Sequence, residues 1–345
     1  MKPLIIDMTL PDWQTWVKAN RWPAYRAAQI AEWTARGIWL PEAMTNLPNA
    51  IRQQLALDFE TEGLRMEDRQ VSAQDGTIKY SFLLADGNRI ESVRMLYRHG
   101  QSVCISSQSG CQMGCTFCAS TGAGFGRDLT AGEMLAQVMA IARDTSQRVS
   151  HVTIMGIGEP FANYDQLMLF LERVHAPDGP AISLRHISVS TCGLVPEMLK
   201  FTDTGLPVTL SISLHAPNDQ IRRQLMPIAR RYPMDELLAA CRRHVNRTSR
   251  RISFEYALFA GINDREEHAD ELASRLRGML CHVNLIPGNE FAGGRYQRSS
   301  QAVVRRFQQQ LLNQGINATI RRELGTDIMA ACGQLRRTKE TCANT

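Results

Sequence analysis

Between residues 101 and 320, short β-branched runs alternate with longer amphipathic ones, and this alternation restricts the fold more than any other feature. The short runs are SVCISSQ, HVTIMGI, RHISVST, VTLSISL, ISFEYAL and HVNLIP. Between and after them, 130–144, 163–175, 195–204, 233–247, 265–278 and 299–314 read as helices. Parallel strands need a crossover, usually a helix, so repeated strand–helix units imply a parallel sheet with helices outside it. Six units fall short of the eight of a closed barrel. The expected core is therefore an α/β partial (βα)6 barrel over 101–324, open on one side for a large substrate.

Two segments precede it. Residues 1–65 read as a small helical domain, with apolar spacing in AYRAAQIAEWTARG and a further helix near Pro48 to Leu57. Residues 66–100 read as a β-hairpin extension, because TIKYSFLLA and RIESVRMLY flank an Asp86-Gly87-Asn88 turn. A C-terminal segment, 325–345, follows the barrel.

Composition excludes several classes. With 44% hydrophobic and 21% charged residues, the chain is neither disordered nor collagenous nor a coiled coil. No apolar run approaches the ~20 residues that span a bilayer. The start, MKPLIIDMTLPDW, lacks a signal-peptide core, so a cytoplasmic protein without membrane attachment is expected. The net charge is +5, and 34 of the 39 basic residues are arginine. Arginine suits RNA because it forks onto phosphate and stacks on bases; codon bias explains the same count equally well. Arg21, Arg26, Arg36 and Arg52 make the helical domain the candidate RNA-docking surface, against the plainer reading of a solvated helix face.

The nine cysteines are unevenly spread. Cys104, Cys111, Cys115 and Cys118 fall close together, which points to metal or redox chemistry rather than a disulfide framework. Cys111-Gln-Met-Gly-Cys115-Thr-Phe-Cys118 follows the first barrel strand, at the end of the sheet where such folds carry chemistry. Three thiolates can hold three irons of a cubane cluster and leave the fourth iron open. Structural zinc is the alternative, but it wants a fourth ligand nearby. Cys192, Cys241 and Cys281 read as small buried hydrophobes, and Cys342 as incidental.

Polar groups recur at the ends of the other strands. Gly156-Ile-Gly158-Glu159-Pro160 ends the second, Ser190 the third, and Ser213-Leu214-His215 the fourth; Asn289 follows the sixth. Each alone is an ordinary strand end. Together they ring one face.

The cysteine spacing, with an aromatic before the third Cys, resembles the radical S-adenosylmethionine (SAM) superfamily. Two features narrow it: Gly325-Thr-Asp-Ile-Met-Ala-Ala-Cys332-Gly-Gln-Leu335, and Cys104 in Val103-Cys-Ile-Ser-Ser-Gln108. With Ser213-Leu-His-Ala-Pro-Asn-Asp219 and the helical start Tyr25-Arg-Ala-Ala-Gln-Ile30, they closely resemble the RlmN/Cfr family of RNA adenine methyltransferases over nearly the whole chain.

That resemblance implies a [4Fe–4S] cluster on Cys111, Cys115 and Cys118. It implies two SAM molecules per turnover, bound through Gly158, Glu159, Ser190, Ser213, Leu214, His215 and Asn289. One SAM methylates the thiolate of Cys332. The other yields a deoxyadenosyl radical that takes a hydrogen from the S-methyl group, and the resulting methylene adds to C2 or C8 of adenine. Glu91, in the place of the family's base, removes the ring proton. Cys104 attacks sulfur, which releases methyladenosine and leaves a transient Cys104–Cys332 disulfide. The implied partners are 23S rRNA, with tRNA as a further candidate, and an electron donor such as flavodoxin; a monomer is expected.

The sequence departs from the family at Gly288, where Trp is common, and at Glu323-Leu324, where Thr-Arg is common in the C2 branch. C2 is nonetheless favoured over C8. The other open alternatives are a paralogue with another RNA, a radical-SAM enzyme of another class that needs neither Cys104 nor Cys332, and a zinc-stabilised RNA-binding module.

Overall fold

The computed structural model describes residues 2–122, 124–289, 295–331 and 333–335. Its elements in chain order begin with helices α1 (Leu10–Ala19), α2 (Tyr25–Ala35) and α3 (Asn49–Asp58). Strands β1 (Leu64–Val71), β2 (Ile78–Leu84), β3 (Arg89–Tyr97), β4 (Gly100–Ile105) and β5 (Gln108–Gly110) follow. Then come α4 (Ala119–Gly122), β6 (Phe125–Asp128), α5 (Ala131–Thr145), β7 (Val149–Ile154) and α6 (Tyr164–His175). The barrel continues through β8 (Ile187–Thr191), α7 (Val195–Thr204), β9 (Thr209–Ser213), α8 (Asp219–Leu225), α9 (Met234–Thr248) and β10 (Ile252–Leu258). It ends with α10 (Glu266–Leu276), β11 (Cys281–Pro287), α11 (Gln301–Asn313) and β12 (Ala318–Ile320).

The six expected strand–helix units are present. Strands β4, β7, β8, β9, β10 and β11 run parallel in that spatial order. A seventh parallel strand, β12, pairs with β11 and was not expected. The sheet does not close: β12 ends one side, and β3, β2 and β1 extend the other as an antiparallel ladder. The hairpin register is as the turn demands, with Leu83 opposite Arg89 and Ile78 opposite Arg94. Asp86 shapes the turn by accepting the Asn88 N–H at 3.0 Å.

The sequence reading also missed β1, β6 and α8, while α1 falls within the segment expected to be helical. Strand β1, LRMEDRQV, is exposed along nearly its whole length and shows no apolar alternation. Its pairing with β2 makes it a strand. Charge suits such an edge, because it discourages further pairing.

Helix α5 links the N-terminal segment to the barrel. Thr130 caps it, accepting the Glu133 N–H at 3.1 Å, and Glu133 returns a bond to the Thr130 N–H at 3.0 Å. Glu133 is fully buried, and two hydrogen bonds from Arg127 at 2.7 Å balance its charge. A Cβ on Gly132 would stand 2.4 Å from the Ile6 carbonyl oxygen, so only glycine lets the segment lie this close. There Asp7 accepts the Gly132 N–H at 3.1 Å, and Arg173 donates to Ile6 O at 2.6 Å. Ile5, Ile6, Trp13 and Ile30 thus share one apolar core with the barrel strands. Of the four N-terminal arginines, Arg36 pairs with Glu32, Arg26 donates to Gln29 and stacks over Tyr25, and Arg52 donates to Glu42 O.

Candidate active site

A cavity of ≈160 Å³ opens at the carboxyl ends of the parallel strands. Its wall includes Cys111, Cys115 and Cys118 from the loop after β5, and Gly158 and Glu159 from the loop after β7. Ser190, Cys192, Ser213, His215, Glu255 and Asn289 continue the ring. Apolar faces come from Met113, Phe117, Met226, Phe259 and Ile286. The strand-end residues singled out in the sequence therefore meet in one place, with a single exception. Leu214 does not line the cavity; its side chain is fully buried in the core and its N–H donates to Glu255 O at 3.0 Å.

The cysteine loop is pinned from two sides. Thr116 N donates to Leu225 O at 2.9 Å, and its hydroxyl meets the Tyr296 hydroxyl at 2.9 Å. Phe117 packs edge-on against His215, with ring centroids 4.8 Å apart. Burial pushes the Cys111 thiol up to about 12 and the Cys115 thiol well above its ordinary value, and the neighbouring cysteines and Glu159 add to both. Ionising three crowded thiols needs a positive partner, and soft thiolates favour iron–sulfur clusters. Among the described residues no three His, Cys, Asp or Glu side chains could hold a single metal ion. A cubane differs in offering each thiolate its own iron. The donor set fits that group, on Cys111, Cys115 and Cys118.

Glu159 is 3% exposed. Its carboxylate accepts the Phe161 N–H at 3.0 Å and the Cys192 N–H at 2.7 Å. Burial raises its pKa, while these hydrogen bonds pull the other way. Gly158 holds φ at +111°, and a Cβ there would come within 2.6 Å of Gln108 Cβ. Gln108 in turn receives the Glu159 N–H at 2.8 Å. His215 also has positive φ, +54°. Its Nδ1 accepts the Ala257 N–H at 2.9 Å, so the neutral ring carries its proton on Nε2. Burial, helped by Arg222, pushes His215 down to about 3. It lines the cavity as an uncharged ring.

Several cavity groups had no sequence signal, among them Glu255, Arg321 and Cys192. Glu255 sits mid-strand in ISFEYAL, where its Oε2 accepts from Asn284 at 2.7 Å and lies 3.9 Å from Arg321. Cys192, expected to be a plain core residue, is buried but lines the cavity wall. Cys241 and Cys281 are buried as expected.

A second, smaller cavity lies beside the first. Val93, Met95, Cys104, Ala330 and Ala331 line it, and Met155, Ile286, Asn289, Arg321 and Leu335 belong to both. Cys104 is directly opposite Val93 across the β3–β4 ladder. Glu91 precedes Val93 by two residues, so both project from the same face of β3. Glu91 is 7% exposed, lies 3.8 Å from Lys79 Nζ, and borders an outer groove with Met329 and Gln334. Over this face lies the C-terminal segment. Asp327 accepts from Ser72 Oγ at 2.7 Å and Ala73 N at 3.0 Å, and Gly325 N donates to Asp75 at 2.9 Å. Ser120 Oγ donates to Leu335 O at 2.7 Å. Cys332 itself lies outside the described residues; its neighbours Ala331 and Gly333 line the second and first cavities respectively.

The Radical SAM superfamily model matches residues 105–273. A probable dual-specificity RNA methyltransferase RlmN of Clostridium tetani is 47% identical over 333 residues, 96% of this chain and 95% of that protein. Its counterpart in Alkaliphilus metalliredigens is 50% identical over 313 residues, 91% of this chain and 89% of that one. The chain belongs to the RlmN family of radical-SAM methyltransferases. A crystal structure of a radical SAM methyltransferase from Sphaerobacter thermophilus superposes with a TM-score of 0.92 at 44% identity, over 96% of this chain and 99% of that one. RlmN membership carries with it a [4Fe–4S] cluster and SAM, and it makes the chain a SAM-dependent, methyl-transferring enzyme. Among the described residues no helix is long and apolar enough to cross a membrane.

Proposed function

We propose that this RlmN-family chain methylates an adenine ring carbon in RNA, C2 in preference to C8, with 23S rRNA as substrate and tRNA as a further one. One observation carries the reading. The segment that bears Cys332 is docked between the two cavities: Gly333 and Leu335 border the three clustered cysteines, and Ala330, Ala331 and Leu335 border Cys104. A carrier thiol in that segment needs access to both.

When bound, the cluster and SAM supply an electron, a transferable methyl group and the hydrogen-abstracting radical derived from SAM. Glu159, Ser190, Ser213, His215 and Asn289 orient the ligand in the first cavity, with His215 acting as a neutral N–H donor. Cys332 accepts a methyl group through its sulfur and carries it to the adenine carbon, which is too electron-poor to take it directly. Glu91 removes the ring proton, and the groove beside it gives that proton a way out. A carboxylate can do this when it is closely positioned, as the Lys79 ion pair at 3.8 Å provides. Once the adduct has given up its unpaired electron, Cys104 attacks the Cys332 sulfur as a thiolate: the S–S bond forms as the S–C bond breaks, and the bond's electron pair stays with the base-bound methylene. That carbon takes a proton to become the methyl group, and an external dithiol later reduces the disulfide. Each turnover uses two SAM molecules. A small electron-transfer protein such as flavodoxin supplies the electron, and the enzyme works as a monomer in the cytoplasm.

The test is a nucleoside mass-spectrometry digest of rRNA and tRNA from cells lacking and overexpressing the protein. A gain in 2-methyladenosine is expected, and its distribution names the RNA. A gain in 8-methyladenosine moves the chain to C8 chemistry. No change in either overturns the proposal.

A further inference from the structure

Arg222 is one of the largest fully buried side chains, at 0% exposure in the middle of α8. Its Nη2 donates to Cys192 O at 2.6 Å, while Nε and Nη1 are buried without a hydrogen-bond partner. Asp219, the acid on its own helix, favours the guanidinium's charged form through space but accepts its hydrogen bond from the Met234 N–H at 2.9 Å. A buried charge left this way costs stability unless something balances it.

The cysteine loop lies on the other side. Leu225, at the end of the same helix, accepts the Thr116 N–H at 2.9 Å, and Thr116 follows Cys115 directly. Cys115 and Cys192 pack in one apolar cluster with Leu225 and Met226. Glu159 reaches Arg222 only through the Cys192 peptide, whose N–H it accepts and whose carbonyl Arg222 takes. The guanidinium thus stands behind the cavity wall at Cys192, on the helix whose end anchors the cysteine loop.

We propose that Arg222 is the resident counter-charge of the iron–sulfur cluster: it favours the more negative, reduced cluster, and the cluster in turn balances a cation that the empty protein buries at a cost. The inference rests on the family's cluster and is independent of the RNA target. Arg222 acts through the field it sets up, so it is a positioning residue and not a catalytic one.

The test uses the full chain, reconstituted anaerobically, with Arg222→Met and Arg222→Lys beside the native protein. The reduced-to-oxidised ratio is read by electron paramagnetic resonance at a fixed ambient potential. Arg222→Met lowers that ratio about tenfold, equivalent to about 59 mV for one electron, and Arg222→Lys recovers most of it. Without iron, Arg222→Met melts no lower than the native apoprotein. An unchanged ratio in Arg222→Met with full iron overturns the proposal. So does apoprotein destabilisation in both variants with unaltered potentials, the mark of a merely structural residue. If Arg222→Met does not fold, Arg222→Lys decides alone: a native ratio together with native iron retention supports the proposal, and a tenfold fall despite the conserved charge overturns it. A native protein that takes up no iron overturns the cofactor assignment, and this role with it.

Discussion

Ala119 N donates to Gly333 O at 2.8 Å, which fastens the residue just after Cys118 to the residue just after Cys332. These positions are more than two hundred residues apart in sequence, yet one backbone hydrogen bond fixes their spacing. The Ser120–Leu335 bond repeats the tie, one residue on from Ala119 and two on from Gly333.

Ser120→Ala should loosen it. Leu335 O would be left buried without its donor, a cost of about 1–3 kcal/mol. RNA methylation should fall about tenfold while SAM cleavage stays near native, because the cluster loop keeps its Thr116 anchors. Amide exchange over 325–331 should speed up. Equal losses in both activities would show that the tie serves the cluster and not the segment.

Cys104→Ala and Glu91→Gln should separate the two cavities. Both residues lie on the β3–β4 face away from the clustered cysteines. Each variant should keep full iron content and reductive SAM cleavage but lose RNA methylation by about two orders of magnitude or more. Cys115→Ala should lose iron and both activities. Activity retained in Cys104→Ala would favour a radical-SAM chemistry without a second thiol.

Gly158→Ala should be poorly tolerated. The residue would sit at φ +111° with its Cβ 2.6 Å from Gln108 Cβ, in backbone that only glycine adopts freely. A loss of about 1–3 kcal/mol is expected in denaturant unfolding. SAM affinity should fall as well, since Gln108 holds the Glu159 N–H. Unchanged unfolding would mean that the loop relaxes.

Acid should destabilise the fold through two buried histidines. His215 is pushed down to about 3 and His244 to about 4, in both cases chiefly by burial. The unfolded chain therefore binds protons below pH 6.5 that the folded chain refuses. Their stabilisation is complete above pH 6.5 and declines as pH falls towards those values, by about 1.4 kcal/mol per pH unit for each. His244→Gln, on the far side of the barrel wall against Thr202, should remove its share of the slope between pH 6 and 4.5. Matching slopes in the variant and the native protein would reject the assignment.

Removing residues 1–60 is not a clean test of RNA docking. Ile5, Ile6 and Trp13 belong to the barrel's own core, so the truncation would strip part of the fold. Charge reversal at Arg21 or Arg26 leaves that core intact and is the better probe. A fall in RNA affinity that is largest at low salt, with a shallower salt dependence than the native protein shows, is the expected outcome.

Local pattern made much of this protein legible in advance. The six strand–helix units follow from apolar periodicity, the hairpin from Asp86-Gly87-Asn88, and the proposed thiol ligand set from the spacing of Cys111, Cys115 and Cys118, because each is written within a few consecutive residues. Strand β1 carries no such pattern and exists through its pairing with β2. Glu255, Cys192 and Arg222 look like ordinary strand and helix residues until the barrel curves their ends around one cavity and one wall. The same holds for the C-terminal segment. Its motif is visible in sequence, but its place is set by Asp327 on Ser72 and by Gly333 on Ala119. Chemistry that uses residues close in the chain can be read from the chain alone. Charge balance and the meeting of distant segments depend on distances through space, and those only the folded structure sets.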